Sequence, residues 1–99
     1  MVIQVVNFNL EGITHDQYLE AAKEVAPAFK ELSGLKSKVW LSDEEKNVYG
    51  GVYTWDDHQS MQDYLNGPFY AEVLGDNPSF VNITYKSFEV LDEPTSITT

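Results

Sequence analysis

Ninety-nine residues, 42% hydrophobic and 13% aromatic, suffice for one core and are too few for two, so a single domain over residues 1–92 with a C-terminal tail at 93–99 is expected. Sixteen acidic residues against six basic ones give a formal charge of −10, which repels phosphate backbones and anionic lipid and disfavours nucleic acid and acidic membranes as partners. The lack of cysteine removes disulfides, thiolate nucleophiles and zinc–thiolate sites, and without a basic-then-apolar leader or an apolar span of about 20 residues the expectation is a cytoplasmic protein.

Val2 to Leu10 is β-branched and partly alternating, which predicts a strand. Val2, Gln4, Val6 and Phe8 share one face; Ile3, Val5, Asn7 and Asn9 share the other. Apolar residues on both faces call for cover on both, helices on one side and a second subunit on the other. Thr14 with Gln17 makes a capping box ahead of a helix of about five turns, reaching Ser33, in which Tyr18, Ala22, Val25, Phe29 and Leu32 form one apolar stripe with Leu19 and Ala26 beside it. Pro27 removes a backbone hydrogen bond, so a bend is expected near residues 23–27; Gly34 is the expected C-terminal cap.

Leu35 to Leu41 and Asn47 to Trp55 are predicted strands around a polar loop, and together read as a hairpin. Strict alternation puts Leu35, Ser37, Val39 and Leu41 on one face of the first strand and Lys36, Lys38 and Trp40 on the other. Adjacent Gly50 and Gly51 weaken a strand on intrinsic grounds and so point to a bulge or a close approach of some other group. Asp56 with Gln59 forms a second capping box, opening a helix to Asn66 that buries Met61, Tyr64 and Leu65 before Gly67-Pro68 stops it. Phe69 to Leu74 makes a helical turn, Asp76-Asn77-Pro78 turns the chain, Phe80 to Leu91 alternates as a last strand, and Asp92 to Thr99 reads as an irregular tail. The order β-α-β-β-α-β is the ferredoxin-like split unit: an α+β fold with a four-stranded antiparallel sheet and helices on one face.

Gly34-Leu35, Lys38-Val39-Trp40, the acidic turn ending Glu45-Lys46-Asn47, Gly50-Gly51-Val52-Tyr53, Ser60 with Tyr64-Leu65, and Phe88-x-Val90 before Glu93-Pro94 together resemble the YdhR-like mono-oxygenase family, over residues 2 to about 96. That family sits in the dimeric α/β-barrel superfamily, which also holds the antibiotic-biosynthesis monooxygenases. The resemblance implies a homodimer in which two ferredoxin-like subunits pack sheet to sheet, supplying the cover that the second sheet face needs. It also implies oxygenation of a small aromatic or polycyclic phenol or enol with no cofactor and no metal, the substrate anion itself giving an electron to O₂. The protein then has to bind a flat apolar molecule, favour its deprotonation and stabilise the anion. The alternative is a non-catalytic, stress-associated barrel that sequesters a hydrophobic metabolite.

Asn7, polar beside Ile3 and Val5, either hydrogen-bonds within the core or enters a cavity; the resemblance implies a pocket residue that stabilises the anion or oxygen. Trp40, Tyr53, Tyr64, Trp55 and Tyr85, with Tyr49, form an aromatic set. Each suits a core singly, while their polar tips suit the wall of a substrate pocket. His15 and His58 fall in the first turns of the two helices; His58, three residues before Met61, flanks the apolar face and is the candidate base. Lys38 either pairs with Glu89 across the sheet or approaches a substrate anion, with the ion-pair or edge-strand reading preferred. No histidine lies within residues 66–80, where the resemblance would place a proximal haem ligand, so haem is not expected. Asp43-Glu44-Glu45 and Asp56-Asp57 sit in a turn and at a helix start, where solvation and capping account for them, so no metal site is expected.

Overall fold

Period-two burial sets the first element. In the computed structural model, which describes residues 1–99, strand β1 (Val2–Leu10) buries every second side chain from Val2 to Leu10 and half-buries those between. It lies inside an antiparallel sheet of order β2-β3-β1-β4, where β2 is Leu35–Asp43, β3 is Val48–Trp55 and β4 is Phe80–Glu89. Helix α1 (His15–Lys30) starts at the expected capping box: the Gln17 N–H donates to the Thr14 hydroxyl at 3.1 Å and the Thr14 N–H donates to the Gln17 side chain at 2.8 Å. Pro27 does not split it. The residue is exposed, so the carbonyl it leaves free can turn to water, and the helix runs through it to Lys30.

The hairpin forms as expected. The Asp43 carboxylate accepts from the Lys46 N–H at 3.1 Å, and Asn47 takes a left-handed conformation (φ 56) that its short side chain tolerates. That side chain also ties the hairpin tip to the end of β1, donating to the Leu10 carbonyl at 2.9 Å and accepting from the Leu10 N–H at 3.2 Å. Strict alternation fails in β2. Leu35 pairs with Trp55 and Ser37 with Thr54, so Lys36 is an extra, bulged residue. Leu35 therefore shares the helix-side face with Lys38 and Trp40, while Ser37 and Val39 turn outward. Lys38 cannot reach Glu89, because β2 and β4 are opposite edges of the sheet.

Helix α2 (His58–Leu65) is capped by Asp57 rather than Asp56: the Ser60 N–H donates to the Asp57 carboxylate at 2.8 Å and holds it below the usual carboxylate range. The Asp56 N–H is bound instead to the Gly34 carbonyl at 2.7 Å. After α3 (Pro68–Tyr70) the chain runs into a π-helical turn at Ala71–Gly75 and on to β4. The tail read as irregular is helical. Asp92 and Glu93 in the first turn favour the N-terminus of α4 (Asp92–Thr98), and Pro94 sits early enough in it to be tolerated.

Helices cover one face of the sheet, over a core in which Trp55, Tyr49, Gln4 and Val6 are fully buried. The other face carries Ile3, Val5, Val52, Val39 and Phe88. Val39, Val52 and Val5 stand in line across three strands, Phe88 pairs with Ile3, and Val39 and Phe88 remain 57% and 59% exposed. Nothing in the chain itself covers this face. No helix is long and apolar enough to cross a membrane.

Candidate active site

Small residues make the cleft. Ala21, Ala22 and Val25 of α1 face Trp40, Gly50 and Tyr53 of the hairpin, leaving a cleft of about 280 Å³ that is closed on its far side by Phe8, Leu74 and Phe80. The two glycines serve it differently. A Cβ on Gly50 would collide with the Val6 carbonyl oxygen, so glycine is what lets β3 pair closely with β1. A Cβ on Gly51 would come within 3.0 Å of Lys38 Cε, so this glycine makes room for the lysine stem.

Lys38 is the polar centre of the cleft. Its Nζ lies 3.4 Å from the ring centroid of Phe29, 3.4 Å from that of Trp40 and 4.7 Å from that of Tyr53. Three aromatic faces offer some compensation to a cation. No carboxylate pairs with it; the two ion pairs of the chain are Lys23–Glu20 and Lys36–Asp56, both exposed. Burial pushes the amine from the ordinary 10.5 down to about 7, so at neutral pH it is shared between a free amine and an ammonium.

The phenols move the other way. Burial, and then the neighbouring Tyr49, pushes Tyr18 up to about 12; burial does the same to Tyr64, and raises Tyr53 further still. All three remain hydrogen-bond donors at neutral pH. Beyond Tyr53 the rings pack on one another: Trp55 stacks on Tyr53 with ring planes 3° apart, its indole N–H donates to the Gln4 side-chain oxygen at 3.0 Å, and Tyr53 and Tyr64 hydroxyls lie 3.4 Å apart, with a separate hollow on the far side of Trp55 and Tyr64 towards Leu32 and Phe69. The Gln4 amide nitrogen is buried with no partner.

Of the residues singled out in the sequence, Trp40 and Tyr53 line the cleft together. Trp55 and Tyr64 belong to the packed end, fully or almost fully buried. Tyr85, paired with Val6, is on the same face of the sheet but half-exposed on the edge strand, near Tyr70. Asn7 has its side chain among the outer-face residues, where it donates to the Tyr49 carbonyl at 3.4 Å. His58 is exposed on α2, 3.2 Å from the Gln62 amide nitrogen. His15 is tied to the hairpin, its Nδ1 2.7 Å from the buried Tyr49 hydroxyl. Sequence reading passed over Phe29 and Phe80 as cleft walls and preferred a surface role for Lys38. The signal available was a lysine two residues from a tryptophan and opposite Tyr53, with Gly51 opposite the tryptophan, and reading it required the bulge at Lys36.

The cleft offers an amine, phenols, the Glu72 carboxylate and the Asn77 amide, and no histidine. No cluster of three or more His, Cys, Asp or Glu side chains suited to a metal ion occurs in the chain.

Three solved structures share this fold. A protein described as a "putative antibiotic biosynthesis monooxygenase" from Deinococcus radiodurans superposes with a TM-score of 0.74 at 15% identity, over 91% of this chain and 92% of that one. SnoaB, a cofactor-independent oxygenase from Streptomyces nogalater, gives 0.71 at 20% identity over 93% and 97%. MhuD, a heme-degrader from Mycobacterium tuberculosis seen with two hemes in its active site, gives 0.70 at 20% over 92% and 96%. Among curated proteins none matches the chain by sequence. The model of the family described as "Putative mono-oxygenase ydhR" matches residues 3–99, nearly the whole chain, and the protein belongs to that family.

Proposed function

We propose that the protein is a cofactor-independent monooxygenase that takes a small planar phenol or enol into the cleft beneath α1, as a cytoplasmic homodimer closed through the bare sheet face. The observation that carries this reading is the free amine of Lys38, held against three aromatic faces with no acidic partner. A planar acid entering the cleft that Lys38 and Trp40 border gives its proton to Lys38, and the ammonium then holds the phenolate or enolate against the apolar lining. Electron transfer from that anion to O₂ follows, and recombination and collapse turn a ring CH₂ and O₂ into a ring C=O and water. One oxygen atom enters the product, the other leaves as water, and the substrate supplies all the electrons.

The neutral Tyr18 phenol is available to donate to the anion. Lys38 takes the anion-stabilising role expected of Asn7, whose side chain lies on the other sheet face. With no histidine in the cleft, the donor set favours a haem-free reaction over the chemistry of MhuD.

Oxygen uptake with hydroxylated naphthalenes and anthrones tests the reading. Turnover that falls at least a hundredfold in Lys38→Met supports it. Absence of uptake by the wild-type protein, with a co-purifying aromatic released chemically unchanged, replaces it with the binding-protein alternative. The dimer rests on the uncovered stripe of Val39, Val52, Val5, Ile3 and Phe88. Sedimentation should give twice the 11.2 kDa chain mass, reduced to one chain by Val39→Lys with Phe88→Lys. A wild-type monomer would refute the assembly.

A further inference from the structure

We infer that Lys38 is also a covalent site, a nucleophilic amine that forms a reversible imine with planar aromatic aldehydes and ketones. The placement argues for it independently of any oxygen chemistry. The Nζ stands at the end of a stem laid over Gly51, between the rings of Phe29 and Trp40, and borders a cleft whose lining is mainly apolar. It makes no ion pair and no hydrogen bond within the chain, so only its contacts with the aromatic faces hold it.

The charged groups around it are few. Lys36 points to solvent beside Asp56, and the only acid in the cleft lining is Glu72, exposed on the π-helical turn on the other side. Burial alone lowers the proton affinity of the amine, and a desolvated lysine is the recurrent device by which proteins make an amine nucleophilic at neutral pH.

The step balances without a further reactant. The amine nitrogen bonds to the carbonyl carbon and the C=O bond is replaced by C=N. The oxygen leaves as water, carrying both hydrogens of the amine. A carbonyl flanked by an aromatic ring suits the site because the ring can lie in the open cleft lined by Phe8, Ala22, Trp40 and Leu74 while the carbonyl carbon meets Nζ. Protonated, the imine withdraws electrons from its α-carbon, which is the chemistry of aldol cleavage and of β-keto acid decarboxylation. The cleft is thus equipped for carbonyl substrates as well as for phenols.

Trapping with 6-methoxy-2-naphthaldehyde and cyanoborohydride, whose hydride reduces C=N to a stable secondary amine, reads this directly by intact mass and peptide mapping. At pH 7 a single adduct is expected on Lys38, at least tenfold faster than labelling of exposed Lys36. The rate of imine formation at Lys38 should level off above pH about 7. Excess 2-naphthol should slow labelling of Lys38 and leave Lys36 unchanged. Labelling spread over the surface lysines with Lys38 no faster than Lys36, or a Lys38 profile that rises only above pH 9, would overturn the inference. Peptide mapping on the wild-type protein makes the result independent of whether any Lys38 variant folds, and the adduct forms or fails to form whether or not oxygen is consumed.

Discussion

The two ends of the interface between helices and sheet use the same materials to opposite effect. At the α2 end Trp55, Tyr53 and Tyr64 pack ring to ring, and the one indole N–H finds the Gln4 oxygen. At the α1 end Phe29, Trp40 and Phe80 are equally aromatic, yet Ala21, Ala22 and the Gly50-Gly51 step leave space between them, and a lysine occupies its wall. Large side chains from both layers make a core. Large side chains from one layer facing small ones from the other make a site.

Truncation separates the two ends most strongly. Trp55→Ala should cost about 3–5 kcal/mol in urea unfolding, since it empties a fully buried volume and strips Gln4 of its remaining partner. Trp40→Ala, at a wall that already borders open space, should cost about 1–2 kcal/mol. Equal losses would mean that the α1 end is as tightly filled as the α2 end.

The glycines give the next contrast. Gly50→Ala should cost about 3 kcal/mol, because the methyl group meets the Val6 carbonyl and the β1–β3 ladder has to open. Gly51→Ala should cost less, about 1–2 kcal/mol, because its nearest neighbour is the flexible Lys38 stem, which can move into the cleft, and the Tyr53 ring and Val39 carbonyl at 3.3 Å need give only a few tenths of an ångström.

The last change is a gain. Lys38→Met keeps the apolar stem and removes an unpaired buried amine, so it should stabilise the fold by about 1–3 kcal/mol at pH 7. The sign of the accompanying pH dependence follows from proton counting. Between pH about 7 and 10 the unfolded lysine still holds its proton while the folded one has released it, so wild-type stability rises with pH across that window. Above pH 10 Tyr18 and Tyr64, held near 12 when folded, ionise first in the unfolded chain, and stability falls again. In Lys38→Met the rise should vanish and the fall remain; a rise that persists would place the titration elsewhere.

The fold was largely legible because its signals are local. The alternation of Val2 to Leu10, the Thr14/Gln17 capping box and the acidic hairpin turn each fix an element from a few adjacent residues, and the order of elements then limits the sheet. What escaped was non-local or nearly degenerate. Asp56 and Asp57 are chemically equivalent caps, and the choice between them is made by the Gly34 carbonyl, distant in sequence. The α4 tail has too few apolar residues to announce a helix and so read as irregular. The candidate site was half visible. Trp40 and Tyr53, drawn from the aromatic set, line one cleft, whereas Asn7 and His58 drew attention by residue type although neither side chain borders it. Lys38 was discounted because a strand lysine is ordinarily a surface residue, and only the register of β2 against β3 shows otherwise.

One residue decides that register. Were Lys36 taken up in the pleat instead of bulging, strict alternation from Leu35 would send Lys38 to the bare outer face and turn Val39 inward, leaving an apolar cleft without its only cation. The basicity of this cavity is therefore a matter of parity more than of composition. Deleting Lys36 would remove the bulge and keep Lys38 inside, whereas one residue inserted between Ser37 and Lys38 would exchange the inside and outside of the strand, moving the chemistry from one surface of the sheet to the other while every original amino acid stayed in place.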